Sequence, residues 1–182
     1  MAGSSRQERA WVRGARDGSA ADLEALFREH WPRAYRAAYL VVHDAAAAED
    51  VAQEAFLAAL RALDRFDRRR PFGPWLHRIV VNRAIDWARA RSLRGEVFAE
   101  GLLEVAAPAV EAPTSRAPYA DATLAALGEL SPEHRAVIVL RYLLEYTPGE
   151  IAELLELPRG TVNSRLRRGL DQLGGRLDEG DR

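Results

Sequence analysis

Apolar residues return every three or four positions along most of the chain, and no period-two alternation persists, so the pattern predicts helices throughout. Residues 1–18 show little periodicity and are expected to form a mobile arm with room for a short helix. Ser19-Ala20-Ala21-Asp22 has the form of a helix N-terminus, followed by Leu23, Leu26, Phe27 and His30 at helical spacing. Pro32 is expected to open a second helix, with Tyr35, Ala38, Tyr39 and Val42 facing inward and His43 ending it. Asp44 can cap a third, from Ala45 to about Leu63, that buries Val51, Ala55, Phe56 and Ala59. Residues 64–74, DRFDRRRPFGP, read as a loop from their Pro and Gly. The period resumes from Trp75 to about Arg91, with Trp75, Leu76, Ile79 and Val80 turned to the core.

From about Leu93 to Pro118 the stripe disappears, and three Pro among Ala and acids indicate an extended linker. Beyond it, Leu124, Leu127 and Leu130 line one helix. Ser131-Pro132-Glu133 starts the next, with Val137, Ile138, Leu140, Tyr142 and Leu143 as core candidates. Thr147-Pro148-Gly149-Glu150 is a capping box that leads into Ile151, Ala152 and Leu155. Leu157-Pro158-Arg159-Gly160 forms a corner, Pro158 ending the donor ladder and Gly160 relaxing the backbone. Val162, Leu166, Leu170 and Leu173 then restart the stripe. The expected fold is all-α: two small helical domains, 19–93 and 119–177, a flexible linker over 94–118 and a tail at 178–182.

Composition narrows the chemistry. A hydrophobic fraction of 48% over 182 residues supports folded cores. Cysteine is absent, which removes disulfides and thiolate chemistry. His30, His43, His77 and His134 lack metal-ligand spacing, so no metal and no cofactor is expected. No apolar run approaches the roughly 20 residues that span a bilayer, and the polar N-terminus has no signal-peptide character, so a soluble cytoplasmic protein without membrane insertion is expected.

The net charge of −1 argues by itself against a nucleic-acid partner, but the charges are segregated. Asp44, Glu49, Asp50 and Glu54 form an acidic block, and Glu96, Glu100, Glu104 and Glu111 a second. Arg65, Arg68, Arg69 and Arg70 cluster in the loop, Arg78, Arg83, Arg89, Arg91 and Arg94 follow, and no acid occurs from Pro158 to Leu170. Alternating faces suit one polyanionic and one basic partner. In the last helix Asn163, Ser164, Arg165, Arg167 and Arg168 leave the apolar stripe on side chains able to reach base edges or phosphates in a major groove. A solvated Arg-rich face is the usual meaning of such a run; the helix-corner-helix spacing and the cap favour DNA. In the loop, Phe66 and Phe72 among four Arg suit stacking on unpaired bases, and equally suit buried anchors at helix ends. Arg78, Asn82, Asp86 and Arg89 share one polar stripe, as in a strand-tracking helix or a salt-bridged surface helix.

On two long stretches the chain resembles the extracytoplasmic function (ECF) group of bacterial RNA polymerase sigma factors. The first is EDVAQEAFLAALRAL (Glu49 to Leu63) with FGPWLHRIVVNRAIDWARAR (Phe72 to Arg91). The second is LSPEHRAVIVLRYLLEYTPGEIAELLELPRGTVNSRLRRGL (Leu130 to Leu170). The resemblance covers about Ala20 to Leu173. It implies a core RNA polymerase partner, through its β′ clamp and β subunits, with Glu49, Asp50, Gln53 and Glu54 docking on the clamp and Phe56 supporting the packing. It implies that Phe66, Arg68, Arg69 and Arg70, with Arg78, Asn82, Asp86 and Arg89, melt and read the −10 element. It implies that Asn163, Ser164, Arg167 and Arg168 face bases of the −35 duplex and that Arg159, Thr161 and Arg165 favour phosphate. An anti-sigma factor is the further partner implied. Asp86 departs from an otherwise basic strand-facing helix and is placed to orient Arg89 or Arg83.

The competing reading is a stand-alone helix-turn-helix regulator acting as a dimer, which leaves the acidic helix and the Phe/Arg loop without a role. An enzyme is the weakest reading, because no phosphate-cradling loop, activated nucleophile or metal cluster is evident.

Overall fold

The computed structural model describes residues 2–93 and 118–180. Every element among them is helical: α1 (Ala2–Arg16), α2 (Ala20–Val42), α3 (Ala45–Arg61), a 3₁₀ turn at Leu63–Arg65, α4 (Phe72–Leu93), α5 (Pro118–Gly128), α6 (Pro132–Ile138), α7 (Pro148–Leu155) and α8 (Arg159–Gly180). A π-helical turn, Val139–Leu143, continues α6. Most of the linker expected over 94–118 lies outside the described residues.

The caps act as the side chains dictate. Ser19 accepts from the Asp22 amide, Asp44 from Ala47 and Ser131 from His134, each satisfying an amide that the helix itself leaves unpaired. At α7 the capping box is complete: Thr147 accepts from the Glu150 amide at 3.3 Å, and the Glu150 carboxylate accepts from the Thr147 amide at 2.8 Å. His43 closes α2 in the left-handed conformation, with φ 56°.

Local expectations are corrected at several points. Residues 1–18 do not stay an arm: from Ala2 they form α1, which buries Val12 to 2% exposure against the N-terminal bundle. Its apolar face is short, Trp11, Val12 and Ala15, too brief to show as a stripe. Pro32 does not separate two helices. It lies inside the single α2, where Leu26, Ala34, Ala37, Ala38, Val41 and Val42 are buried on both sides of it, and that packing outweighs one lost backbone bond. Gly160 does not make the corner between α7 and α8, since it already sits within α8; Glu156 does, at φ 54°, while Leu157 donates back to the Ala152 carbonyl at 2.9 Å. The end of the chain also differs, because α8 runs to Gly180 across most of the expected tail.

Helices α2, α3 and α4 pack with α1 around Leu26, Val41, Phe72, Leu76 and Val80, while α5 to α8 close around Val137, Leu140, Ile151 and Val162. Each such fully buried aliphatic contributes roughly 1.5–3 kcal/mol. On α8 the inward row is Val162, Leu166 and Gly169, with Leu170 turned 38% to solvent. Gly169 is there for space: a β-carbon on it would lie 2.9 Å from the Ile138 side chain of α6. Tyr142, expected in the core, is 60% exposed, because the π turn adds a residue and rotates the stripe.

Candidate nucleic-acid interface

Helix α3 presents the acidic block. Glu49, Asp50, Gln53 and Glu54 are all exposed, and Phe56, at the edge of that face, is buried against Phe27 and Trp31. Gln53 donates to Glu49 at 3.1 Å, and Glu54 receives Arg83 of α4 at 2.9 Å. The face is therefore acidic but partly anchored from the neighbouring helix. Beside it, Phe27, Trp31, Tyr35 and Tyr39 stack at intervals of four along α2, and Phe27 and Leu57 are 42% and 49% exposed. An acidic strip next to exposed aromatic and aliphatic surface is chemistry for a basic, partly apolar protein partner.

The loop between α3 and α4 divides its residues by depth. Arg68, Arg69 and Arg70 are exposed, and the Asp67 carboxylate accepts from the Arg69 amide at 3.0 Å, which turns the chain outward. Phe66 goes the other way. It is 7% exposed, 4.6 Å between ring centroids from Trp75 and edge-on to Phe72 at 5.9 Å. Of the two roles the sequence leaves open for Phe66, base contact and buried anchor, this packing supports the anchor, with the ring held against Trp75 and Phe72. Phe72, 1% exposed, is an anchor as well.

The polar stripe of α4 exists, and the C-terminal helices cover part of it. Arg78 pairs with Glu156 at the end of α7, and Arg89 with Glu133 in the first turn of α6. His77, 5% exposed, has Nδ1 2.7 Å from the Tyr146 hydroxyl. The path that brings Tyr146 there is local: the π turn closes with Leu144 donating to Val139, Glu145 takes φ 60°, and Tyr146 donates back to the Leu140 carbonyl. Asn82 is half-buried and Asp86 exposed. Arg83 pairs with Glu54 and Arg89 with Glu133, so the expectation that Asp86 orients either of them is also corrected.

Burial sets the protonation of this interface. His77 is held down to about 4, first by loss of hydration and then by the neighbouring His30 and Arg33 side chains, against a smaller opposing effect of Glu8. His43 falls to about 4 for the same first reason, with Arg135 of α6 adding to it. Burial pushes the Tyr146 phenol well above its ordinary value. Both histidines are therefore neutral in the packed protein near pH 7.

Helix α8 is open by comparison. Arg159, Asn163, Arg167 and Arg168 are exposed, whereas Val162, Leu166 and Gly169 are buried. Thr161, Ser164 and Arg165 are half-buried on its flank, and the Ser164 hydroxyl donates to the Thr161 carbonyl at 2.9 Å. That bond engages the hydroxyl proton within the helix, which makes Ser164 the weakest of the expected base contacts. Glu8, Tyr146 and Glu156, which shape the α4 side, were not singled out from sequence, and Glu133 was read only as part of a helix start. The one local signal concerned Tyr146, which immediately precedes the capping box, where an apolar residue packs onto the helix. Among the described residues no group of three or more His, Asp or Glu is placed to hold a metal ion, and no helix is long and apolar enough to cross a membrane.

Comparison with known proteins supplies an independent reading. Residues 26–94 match the model of Sigma-70 region 2, and residues 120–173 that of Sigma-70, region 4. The chain is 34% identical over 174 residues to the ECF RNA polymerase sigma factor SigW of Bacillus subtilis, covering 86% of this chain and 88% of that protein. It is 39% identical over 160 residues to the ECF RNA polymerase sigma factor SigL of Mycobacterium tuberculosis (strain H37Rv), covering 85% and 88%. Its fold is similar to that of the sigma factor RpoE of Bartonella quintana, solved in complex with the anti-sigma factor NepR, with a TM-score of 0.71 at 22% identity over 86% of this chain and 97% of that one.

Proposed function

The chain belongs to the ECF group of RNA polymerase sigma factors, and from that premise we propose how its surfaces divide the work of promoter recognition. The family function is to bind core RNA polymerase and direct transcription initiation at promoters. Glu49, Asp50, Gln53 and Glu54 of α3 dock on the polymerase clamp, with Phe56 holding the helix from beneath. Arg68, Arg69 and Arg70 of the loop, together with Arg78, Asn82 and Arg89 of α4, engage the −10 element as its strands separate. Asn163, Arg167 and Arg168 of α8 read the −35 element in the major groove, while Arg159, Thr161 and Arg165 take phosphates. The protein performs no catalysis of its own and works in the cytoplasm, where the polymerase is. An anti-sigma factor is its regulatory partner, by analogy with the NepR-bound relative.

The observation that carries this division is the pairing of an open α8, without an acid from Arg159 to Leu170, with a separate Arg-bearing loop and an acidic helix in one chain. A dimeric regulator needs the first and has no use for the other two. Size exclusion of the protein with core polymerase, followed by transcription from a promoter library, tests it. Co-elution with new start sites, lost on Asp50→Arg, is the expected result. Specific duplex binding by a dimer without polymerase is the result that would overturn it.

A further inference from the structure

Helix α1 touches both ends of the loop that carries Arg68, Arg69 and Arg70. At the entrance, the Arg16 guanidinium donates from Nη2 to the Asp64 carbonyl at 2.9 Å, and its Nε lies 3.6 Å from the Asp64 carboxylate. At the exit, the Glu8 carboxylate accepts from the Gly73 amide at 3.3 Å. Between them, Val12 is buried, and Glu8, Arg9 and Val12 share a narrow cleft with Arg68 and Arg70.

The exit contact answers a local deficiency. Helix α4 begins at Phe72, so the residue in its cap position is Pro71, whose side chain has no acceptor for the free amides of the first turn. Glu8 supplies that acceptor from another helix, and its charge lies at the positive end of α4. The His30 imidazole Nε2 stands 3.0 Å from the same carboxylate oxygen and helps fix its position. Burial raises the Glu8 carboxyl, but His30 and the amides of Gly73 and Phe72 together bring it below its ordinary value, so it is a carboxylate at neutral pH.

We propose that α1 is a positioning strut for the −10 loop, with Glu8 and Arg16 as the positioning residues that clamp its two ends so that Arg68, Arg69 and Arg70 meet the DNA already ordered. This rests on the assignment of that loop to the −10 element. Clamping the ends in advance removes conformational freedom that strand capture would otherwise have to remove. Neither Glu8 nor Arg16 needs to touch DNA.

The test compares Glu8→Gln/Arg16→Gln, the single Arg16→Gln at the exposed end, and Arg68→Ala/Arg69→Ala/Arg70→Ala, each assembled with core polymerase. Discrimination between native and substituted −10 sequences and between native and substituted −35 sequences is read from open-complex formation, alongside the melting temperature. The strut predicts that the double variant loses about tenfold in −10 discrimination, the scale of one charge-assisted hydrogen bond, with −35 discrimination unchanged and Arg16→Gln intermediate. Unchanged −10 discrimination in the double variant, with loss in the triple Arg variant, overturns the strut and leaves the loop assignment standing. No loss in the triple variant refutes the loop assignment and the strut with it. Parallel loss at both elements, tracking a fall in melting temperature in both Glu8→Gln/Arg16→Gln and Arg16→Gln, makes α1 a stability element only and also overturns the proposal.

Discussion

Helix α4 turns Arg78 and Arg89 toward Glu156 and Glu133 of the C-terminal helices, whereas α8 leaves Asn163, Arg167 and Arg168 in solvent. The two helices carry similar residues at similar spacing, yet one surface is neutralised within the molecule and the other is not. A duplex can approach α8 as the protein stands. A strand seeking the Arg78 and Arg89 side of α4 must displace two carboxylates first. In this packing, with Tyr146 against His77, the surface proposed for the −10 element is partly covered and the surface proposed for the −35 element is open.

The sharpest distinction between the two sides lies in what holds the loop before α4. With Phe66 packed on Trp75 and Phe72, Phe66→Ala removes a buried ring and is expected to cost about 3–5 kcal/mol. At roughly 2–4 °C per kcal/mol for a chain of this size, the melting temperature falls by about 10 °C. Promoter opening should decline only as far as the folded fraction does. A selective opening defect at unchanged melting temperature would return Phe66 to the DNA.

Acid should separate the sides next. His43 and His77 are both held to about 4, below the 6.5 of a hydrated imidazole, so the packed form binds fewer protons than an opened or unfolded one. The stability they confer is complete above pH 6.5 and is lost as the pH falls from 6.5 through 4. At pH 5 each forfeits about 2 kcal/mol if opening restores its hydration. His43 lies against Gly128 and Arg135 and His77 against Tyr146, so both losses fall on the packing between the N- and C-terminal helices. Scattering at pH 7.5 and 5.0 should show expansion, with the isolated −35 reading by α8 intact. Equal dimensions and equal melting temperatures at the two pH values would contradict this.

This pattern also explains what the sequence could disclose. Ser19, Asp44, Ser131 and Thr147 were legible because capping is a contact over three residues, and the outward faces of α3 and α8 were legible because amphipathicity is periodic. Continuity through Pro32, the turn at Glu156 and the exposure of Tyr142 depend on packing or on a π turn that no local signal announces. Phe66 showed the right residue type for two opposite roles, and only its neighbours decide between them. The pairs Glu8–Gly73, Arg78–Glu156 and Arg89–Glu133 join positions 44 to 78 residues apart, beyond any motif.

On the open side, Arg168→Ala should weaken −35 recognition by about 1–3 kcal/mol if it meets a base, and the loss should depend on the sequence at one position. Equal weakening on every duplex would assign it to phosphate. The α4 side should be indifferent: −10 discrimination stays at its wild-type value.

The smallest expected effect tests the covering itself. Glu133 and Glu156 pair with Arg89 and Arg78 at partly exposed positions, so each bond contributes under about 1 kcal/mol. Replacing both acids with Gln should therefore raise the affinity of the polymerase-free protein for a single-stranded −10 oligonucleotide only several-fold, and most at low salt. The gain should vanish when Arg78 and Arg89 are also replaced, because the acids then have nothing to cover; that non-additivity identifies the bonds rather than the net charge as the cause. Since removing two negative charges strengthens binding to any polyanion, the −35 duplex is the internal control. An equal gain there would mean that long-range charge, and not the covering of α4, accounts for the difference between the two helices.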